Sequence, residues 1–273
     1  MAALNGTTLN PETAFPAVAT LALVTHAANM VMTIIPKAIA AYPSFERIQS
    51  YLQPAGLGNR ALNFIPRSHD VQYAILIKDL HVSWKSGQKV LSGISFGVSK
   101  GMIVACSGPV GSGKTTLARV ILGESFPTLS GVVKVSANRL AYCAQTSWLP
   151  NRTIREVIHG PSTEYTGGEA WYRTVVSACC LDEDFSTLPE GDGTLVGDGG
   201  MNLSGGQRQR VALARAVFQR CEVAVLDDIF SALDGRTEQQ VAENLFGSEG
   251  LFRKLGTTLY WITSSTQHFH MAD

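Results

Sequence analysis

The chain has 273 residues, 45% hydrophobic and 16% charged, with 22 basic residues balanced by 22 acidic ones. That length holds one large or two small domains with a sizeable core, and a net charge of zero argues against a polyanion binder, so no nucleic-acid partner is expected. The five cysteines, Cys106, Cys143, Cys179, Cys180 and Cys221, are odd in number and lack Cys-x-x-Cys or Cys/His ligand spacing; they read as reduced packing residues.

Residues 13–36 contain no Asp, Glu, Lys or Arg, and the run "AFPAVATLALVTHAANMVMTII" is mostly apolar. About 20 such residues suffice to span a bilayer. Glu12, rather than a basic segment, precedes the run, so it does not read as a secretory signal. Thr20, Thr25, His26, Asn29 and Thr33 need polar partners in lipid, which a bundle of spans would supply; a core helix of a soluble fold is the other reading. Next, "KAIAAYPSFERIQSYLQ" mixes charged and apolar residues at helical spacing and reads as an amphipathic elbow at a membrane surface. Residues 53–73 contain the Pro, Gly and Asn of a linker.

From residue 74 onward, β-rich runs alternate with helical stretches. "AILIKDLHVSW", "MIVACSG", "GVVKVS", "EVAVLDD" and "TTLYWIT" predict strands, and "GKTTLARVILG", "GGQRQRVALARAVFQR" and "RTEQQVAENLFG" predict helices. This alternation predicts an α/β fold with a mainly parallel sheet.

The run "GPVGSGKTT", residues 108–116, fits G-x-x-x-x-G-K-[ST] between a predicted strand and a predicted helix. Gly108, Gly111 and Gly113 let the backbone of a loop that also holds Pro109, Val110 and Ser112 curl, so that successive N–H groups can face phosphate oxygens. The helix N-terminus adds partial positive charge, Lys114 can reach the β- and γ-phosphates, and Thr115, followed by Thr116, can offer a hydroxyl to Mg²⁺. In "CEVAVLDD", Asp227 ends a buried strand where it can hold Mg²⁺, and Asp228 stands where a carboxylate could act as general base.

"LSGGQRQRVALARA", residues 203–216, places Ser and two glycines ahead of an Arg-rich amphipathic helix, a second N-terminus fit to receive an anion. Leu203, Ser204, Gly205, Gly206 and Gln207 closely resemble the signature of ATP-binding-cassette (ABC) proteins, standing between the phosphate loop and "AVLDD" as that family requires. The resemblance covers about residues 74–273. It implies a P-loop NTPase cassette with a mainly parallel sheet core, an antiparallel β-subdomain and an α-helical signature subdomain, preceded by a transmembrane and elbow helix.

The same resemblance implies roles for further residues. Gln145 in "YCAQTSW" would be the Q-loop glutamine that touches Mg²⁺ and the membrane domain, and "SALD", 231–234, resembles the D-loop. Trp84 in "HVSW" would stack on adenine; a core or edge-strand Trp is the other reading. Finer features resemble the C subfamily, the multidrug-resistance-protein-like exporters, in particular the first of their two nucleotide-binding domains and fungal members. Residues 1–52 then resemble the last transmembrane helix and elbow of a membrane domain, 53–73 a linker, and 74–273 a cassette lacking its C-terminal strands and helix. Without that continuation a sheet edge would stay unpaired. The implied setting is a membrane with the cassette on its cytoplasmic side, ATP and Mg²⁺ as cofactors, and a second cassette, transmembrane domains and a small-molecule cargo as partners.

Two positions depart from the family pattern. The base position, usually Glu, holds Asp228, one methylene shorter, and the switch His position after Thr263 holds Ser264. The chain's own site is therefore expected to bind Mg-ATP and hydrolyse it slowly or not at all, so whether this chain is itself an ATP hydrolase stays open. His268 and His270 lie too far along the chain to replace the switch His, and two histidines alone make no metal site. A non-catalytic regulatory half and a non-functional transporter fragment are the alternatives.

Overall fold

The computed structural model describes residues 11–52, 62–64, 72–84, 87–124, 126, 128–137, 139–160 and 168–273. The chain divides into two compact units, Met1–Asn59 and Arg60–Asp273.

The described residues of the first unit form one helix, α1 (Pro11–Leu52), which continues through Pro16, Pro36 and Pro43. The elbow expected after residue 36 therefore prolongs the same helix and is not a separate element. Within α1, Ala14–Gln49 is long and apolar enough to cross a membrane, and its apolar side chains are exposed, as Phe15, Leu21, Val24 and Ile35 illustrate. Three polar residues of the run need no outside acceptor. Thr20, Thr25 and Thr33 donate their hydroxyls to the carbonyls of Pro16, Leu21 and Met30 at 2.8, 2.7 and 2.9 Å.

The linker expected at 53–73 falls mostly outside the described residues, but Leu62–Phe64 within it form a short strand, β1. It pairs in parallel with β5 (Thr128–Val135). β2 (Tyr73–Ser83) and β3 (Lys89–Ser99) complete this sheet in the order β1-β5-β2-β3, with β2 antiparallel to both neighbours. The second sheet is wholly parallel, in the order β4-β8-β7-β6: β4 (Ile103–Cys106), β8 (Thr258–Ile262), β7 (Val223–Asp227) and β6 (Leu140–Cys143).

Every residue of β7 and β8 is buried, as a central parallel strand covered on both faces requires. Alternation along them feeds two cores. Val223, Val225, Tyr260 and Ile262 pack with α2 (Lys114–Leu122) and the first sheet, whereas Ala224, Leu226, Leu259 and Trp261 face the remaining helices. Those are α3 (Ile154–His159), α4 (Gly168–Ala178), α5 (Asp182–Thr187), α6 (Gly205–Phe218), α7 (Gly235–Phe246) and α8 (Leu251–Leu255).

The outer edge of β4 is partly paired. Asp273 N–H donates to the Ile103 carbonyl at 2.9 Å, and Ile103 N–H donates to Asp273 Oδ2 at 2.9 Å. Arg253 fixes that carboxylate from the other side at 2.9 Å. At this position the edge of β4 is met by Asp273.

Candidate functional site

Register in the parallel sheet decides where the chemistry collects. Cys106 lies opposite Ile262, Ile262 opposite Asp227, and Leu226 opposite Cys143, so all four strands end at one level. The segments leaving those ends carry the phosphate loop, Ser264, Asp228 and Gln145. Ligands of open parallel α/β sheets bind at this carboxyl edge.

A cleft of about 330 Å³ there is lined by Trp84, Gly108, Val110, Gly111, Gly113, Lys114, Thr115, Thr116, Gln145, Asp227, Asp228 and Ser264. The phosphate loop closes on itself. Ser112 N–H donates to the Pro109 carbonyl at 3.2 Å, and Lys114 Nζ donates to the carbonyls of Gly108 and Pro109 at 2.7 and 2.9 Å. Gly113 caps α2 at φ +93°, and a Cβ there would lie 2.8 Å from Leu91 Cδ2, so only glycine fits. No side chain caps that end of α2, which leaves backbone donors for an anion.

Asp227 is 3% exposed. Burial pushes its carboxyl above the usual range; the Thr115 side chain pulls it back, Asp228 pushes it further up, and Lys114 opposes. A carboxylate confined in this way is a group that a hard cation would relieve. Among the described residues no group of three His, Cys, Asp or Glu could cage a metal ion. The available donors are oxygens: the Thr115 hydroxyl, Asp227, and Gln145 Oε1, whose partner Nε2 is engaged elsewhere. A set this sparse suits Mg²⁺ held mainly through phosphate and water.

Asp228 sits in the left-handed region, φ +47°, which Asp tolerates better than most residues. Its N–H donates to the Ile262 carbonyl at 2.9 Å, while its own carbonyl accepts from Ser231 Oγ at 2.9 Å. This backbone turns the carboxylate into the cleft, where Gln145 Nε2 donates to Oδ2 at 3.0 Å and Ser264 Oγ to Oδ1 at 3.0 Å. Ser264 is positioned by its neighbour Thr263, whose N–H donates to the Cys106 carbonyl at 3.1 Å. Trp84 lies at the rim, exposed, with its ring tilted 58° against Phe126 at 6.0 Å between centroids.

The signature residues do not line this cleft. Leu203 is buried, and Ser204 caps α6 in a reciprocal box. Gln207 N–H donates to Ser204 Oγ at 3.2 Å, and Ser204 N–H donates to Gln207 Oε1 at 2.9 Å. The Ser204 hydroxyl hydrogen is thereby free to donate outward. A Cβ on Gly206 would meet the Ala232 carbonyl at 3.1 Å, so the signature turn lies tight against the D-loop-like segment.

Two residues that the motifs do not single out organise this region. Asp184 accepts from Gln207 Nε2 at 3.1 Å and pairs with Arg210 at 2.9 Å, which fixes the Gln207 amide. Gln209, on the next turn of α6, is buried and bonds to the Gln145 segment. The Ser-x-x-Gln spacing was the visible signal for the box; nothing local marked Asp184 or Gln209. His268 is not at the cleft: it is 2% exposed, bonds Glu238 at 3.0 Å and packs beside Phe230.

Residues 91–231, just over half of the chain, match the family model described as ABC transporter. The chain is 42% identical over 226 residues to the ABC transporter gloK of Glarea lozoyensis, covering 82% of this chain and 16% of that protein. It is 36% identical over 274 residues to an ABC-type transporter of Gibberella zeae, covering 93% and 19%. To the ABC multidrug transporter B of Aspergillus fumigatus it is 41% identical over 201 residues, covering 73% and 14%. The chain thus spans less than a fifth of the length of these fungal relatives. It belongs to the ABC transporter family and contains that family's ATP-binding module.

Proposed function

We propose that this chain is the first nucleotide-binding domain of a C-subfamily exporter, with its preceding membrane helix, and that its own ATP site holds nucleotide with little hydrolysis. The cassette lies on the cytoplasmic side and pairs head-to-tail with a second cassette to drive movement of a small molecule. One relative is named a multidrug transporter, which supports a small-molecule cargo.

In this reading Lys114 exchanges the Gly108 and Pro109 carbonyls for β- and γ-phosphate oxygens, and the loop N–H groups take the remaining phosphate charge. Trp84 supplies an indole face to the base. Thr115, Asp227 and Gln145 Oε1 would hold Mg²⁺, which neutralises phosphate charge when bound. Ser204 presents its free hydroxyl, beside Gly205 and Gly206, to the nucleotide of the second cassette.

The observation that carries the low turnover is the engagement of Asp228. Both of its oxygens accept hydrogen bonds, from Ser264 and Gln145, and Ser264 offers no imidazole to a γ-phosphate. Nucleotide at this site then acts as glue for the pair. The test is ATP turnover by membranes holding this chain and a partner cassette whose base has been disabled. The reading expects turnover near background. Turnover that persists there and stops on Asp228→Asn would overturn it.

A further inference from the structure

Gln209 is 3% exposed, and its amide is fully engaged. Nε2 donates to the Ala144 carbonyl at 3.1 Å and approaches Cys143 Sγ at 3.7 Å, while Oε1 accepts from the Ser147 hydroxyl. A carbonyl can only accept, so the amide nitrogen must face Ala144 and the orientation is fixed. Ala144 and Ser147 flank Gln145, whose Nε2 donates to Asp228. One buried side chain of α6 therefore grips the segment on both sides of the residue that reaches into the cleft.

The same helix begins at the signature. Ser204 and Gln209 are separated by about 7.5 Å of helix rise, with no irregularity between them. Gln207 lies between, tied to Ser204 by the capping box and to Asp184 by its amide nitrogen. A movement of the Gln145 segment must carry Gln209 with it or leave the amide of a buried side chain without its partners.

We propose that Gln209 is a positioning residue that couples the cleft to the first turn of α6, so that a nucleoside triphosphate in the cleft alters the anion-receiving surface of Ser204, Gly205 and Gly206. The proposal rests on the reading that the cleft binds ATP. It makes the Ser147–Gln209 contact the route by which a retained nucleotide affects the site completed on a second cassette. A purely structural Gln209 would affect stability alone.

The test is amide hydrogen exchange on the whole chain in detergent, with and without Mg²⁺ and the slowly hydrolysed analogue ATPγS. In the wild type, nucleotide slows exchange at 108–116 and changes it at 204–208 by about three- to tenfold. In Ser147→Ala and in Gln209→Met, slowing at 108–116 persists and the response at 204–208 is lost, with β7 and β8 as protected as before. Ser147 is only half-buried, so its variant decides the matter if Gln209→Met fails to fold. An unchanged response at 204–208 beside normal slowing at 108–116 overturns the coupling alone. No slowing at 108–116 in the wild type overturns the ATP reading and the coupling with it.

Discussion

Ser264 Oγ donates to Asp228 Oδ1 at 3.0 Å, joining the end of one central strand to the end of the next at the mouth of the cleft. The contact places the proposed base and switch positions against each other, so a test reverses both together. Asp228→Glu with Ser264→His is expected to raise turnover at this site by about tenfold or more, within the range a positioned base contributes. Either single change is expected to give less, because the other position still lacks its group. A double-mutant cycle of single-turnover rates measures this.

Lys114 Nζ donates to loop carbonyls, so its removal should leave the fold intact. Lys114→Ala is expected to weaken ATP binding about ten- to a hundredfold, the value of one or two charge-assisted bonds. Titration of ATP against Trp84 fluorescence measures it, since both residues line the cleft.

Asp227 carries a sign that can be checked. Its folded-state pKa is raised, so the folded chain holds this proton more tightly than the unfolded chain does. The contribution to stability is full below the unfolded carboxylate value and is lost as pH rises through the raised one. Asp227→Asn removes the buried charge and should therefore raise Tm at neutral pH, by about 2–4 °C for each kcal/mol relieved, with the gain shrinking in acid. The same variant should lose the Mg²⁺ dependence of ATP binding. In the wild type that dependence should weaken as pH falls and the proton competes with the cation. Calorimetry and binding titrations across mildly acid to neutral pH read both effects.

Buried His268 pairs with half-buried Glu238 away from the cleft. His268→Ala is expected to destabilise the fold by about 1–3 kcal/mol, from the lost packing of a buried ring and its hydrogen bond, and to leave ATP affinity unchanged. Denaturant unfolding set beside a nucleotide titration separates the two.

Ser204→Ala removes a cap as well as an outward donor. It is expected to cost about 1 kcal/mol of stability and to leave binding at the chain's own cleft unaltered, while turnover at the site shared with a second cassette falls.

Much of the fold was legible because its signals are local. The phosphate loop, the strand ending at Asp227 and the helix opened by Ser204 are each contiguous runs, and alternation of strand and helix gave the parallel sheet. β6 spans only four residues, and Gly93 and Gly97 interrupt the alternation of β3, so neither stood out. The helix α3 was not expected either, although Thr153 and Glu156, which form a capping box, carry the spacing that marks such a start. Contacts across the fold had no such signal. Gln145 meets Asp228 across 83 residues and Ser147 meets Gln209 across 62, distances that only the register of four parallel strands closes. The histidines near the C-terminus were set aside as a metal site from the sequence alone, but only the packing shows that His268 belongs to the core.

The central claim is that this chain retains ATP. The direct measurement is the identity of the nucleotide bound to it after membranes holding it and a second cassette have turned over Mg-ATP many times. Photo-crosslinking a labelled ATP to the chain and isolating it shows which nucleotide is bound. Intact triphosphate, present well beyond the time of a single turnover, is the predicted result. Diphosphate formed at the transporter's own rate, and abolished by Asp228→Asn, would contradict the account.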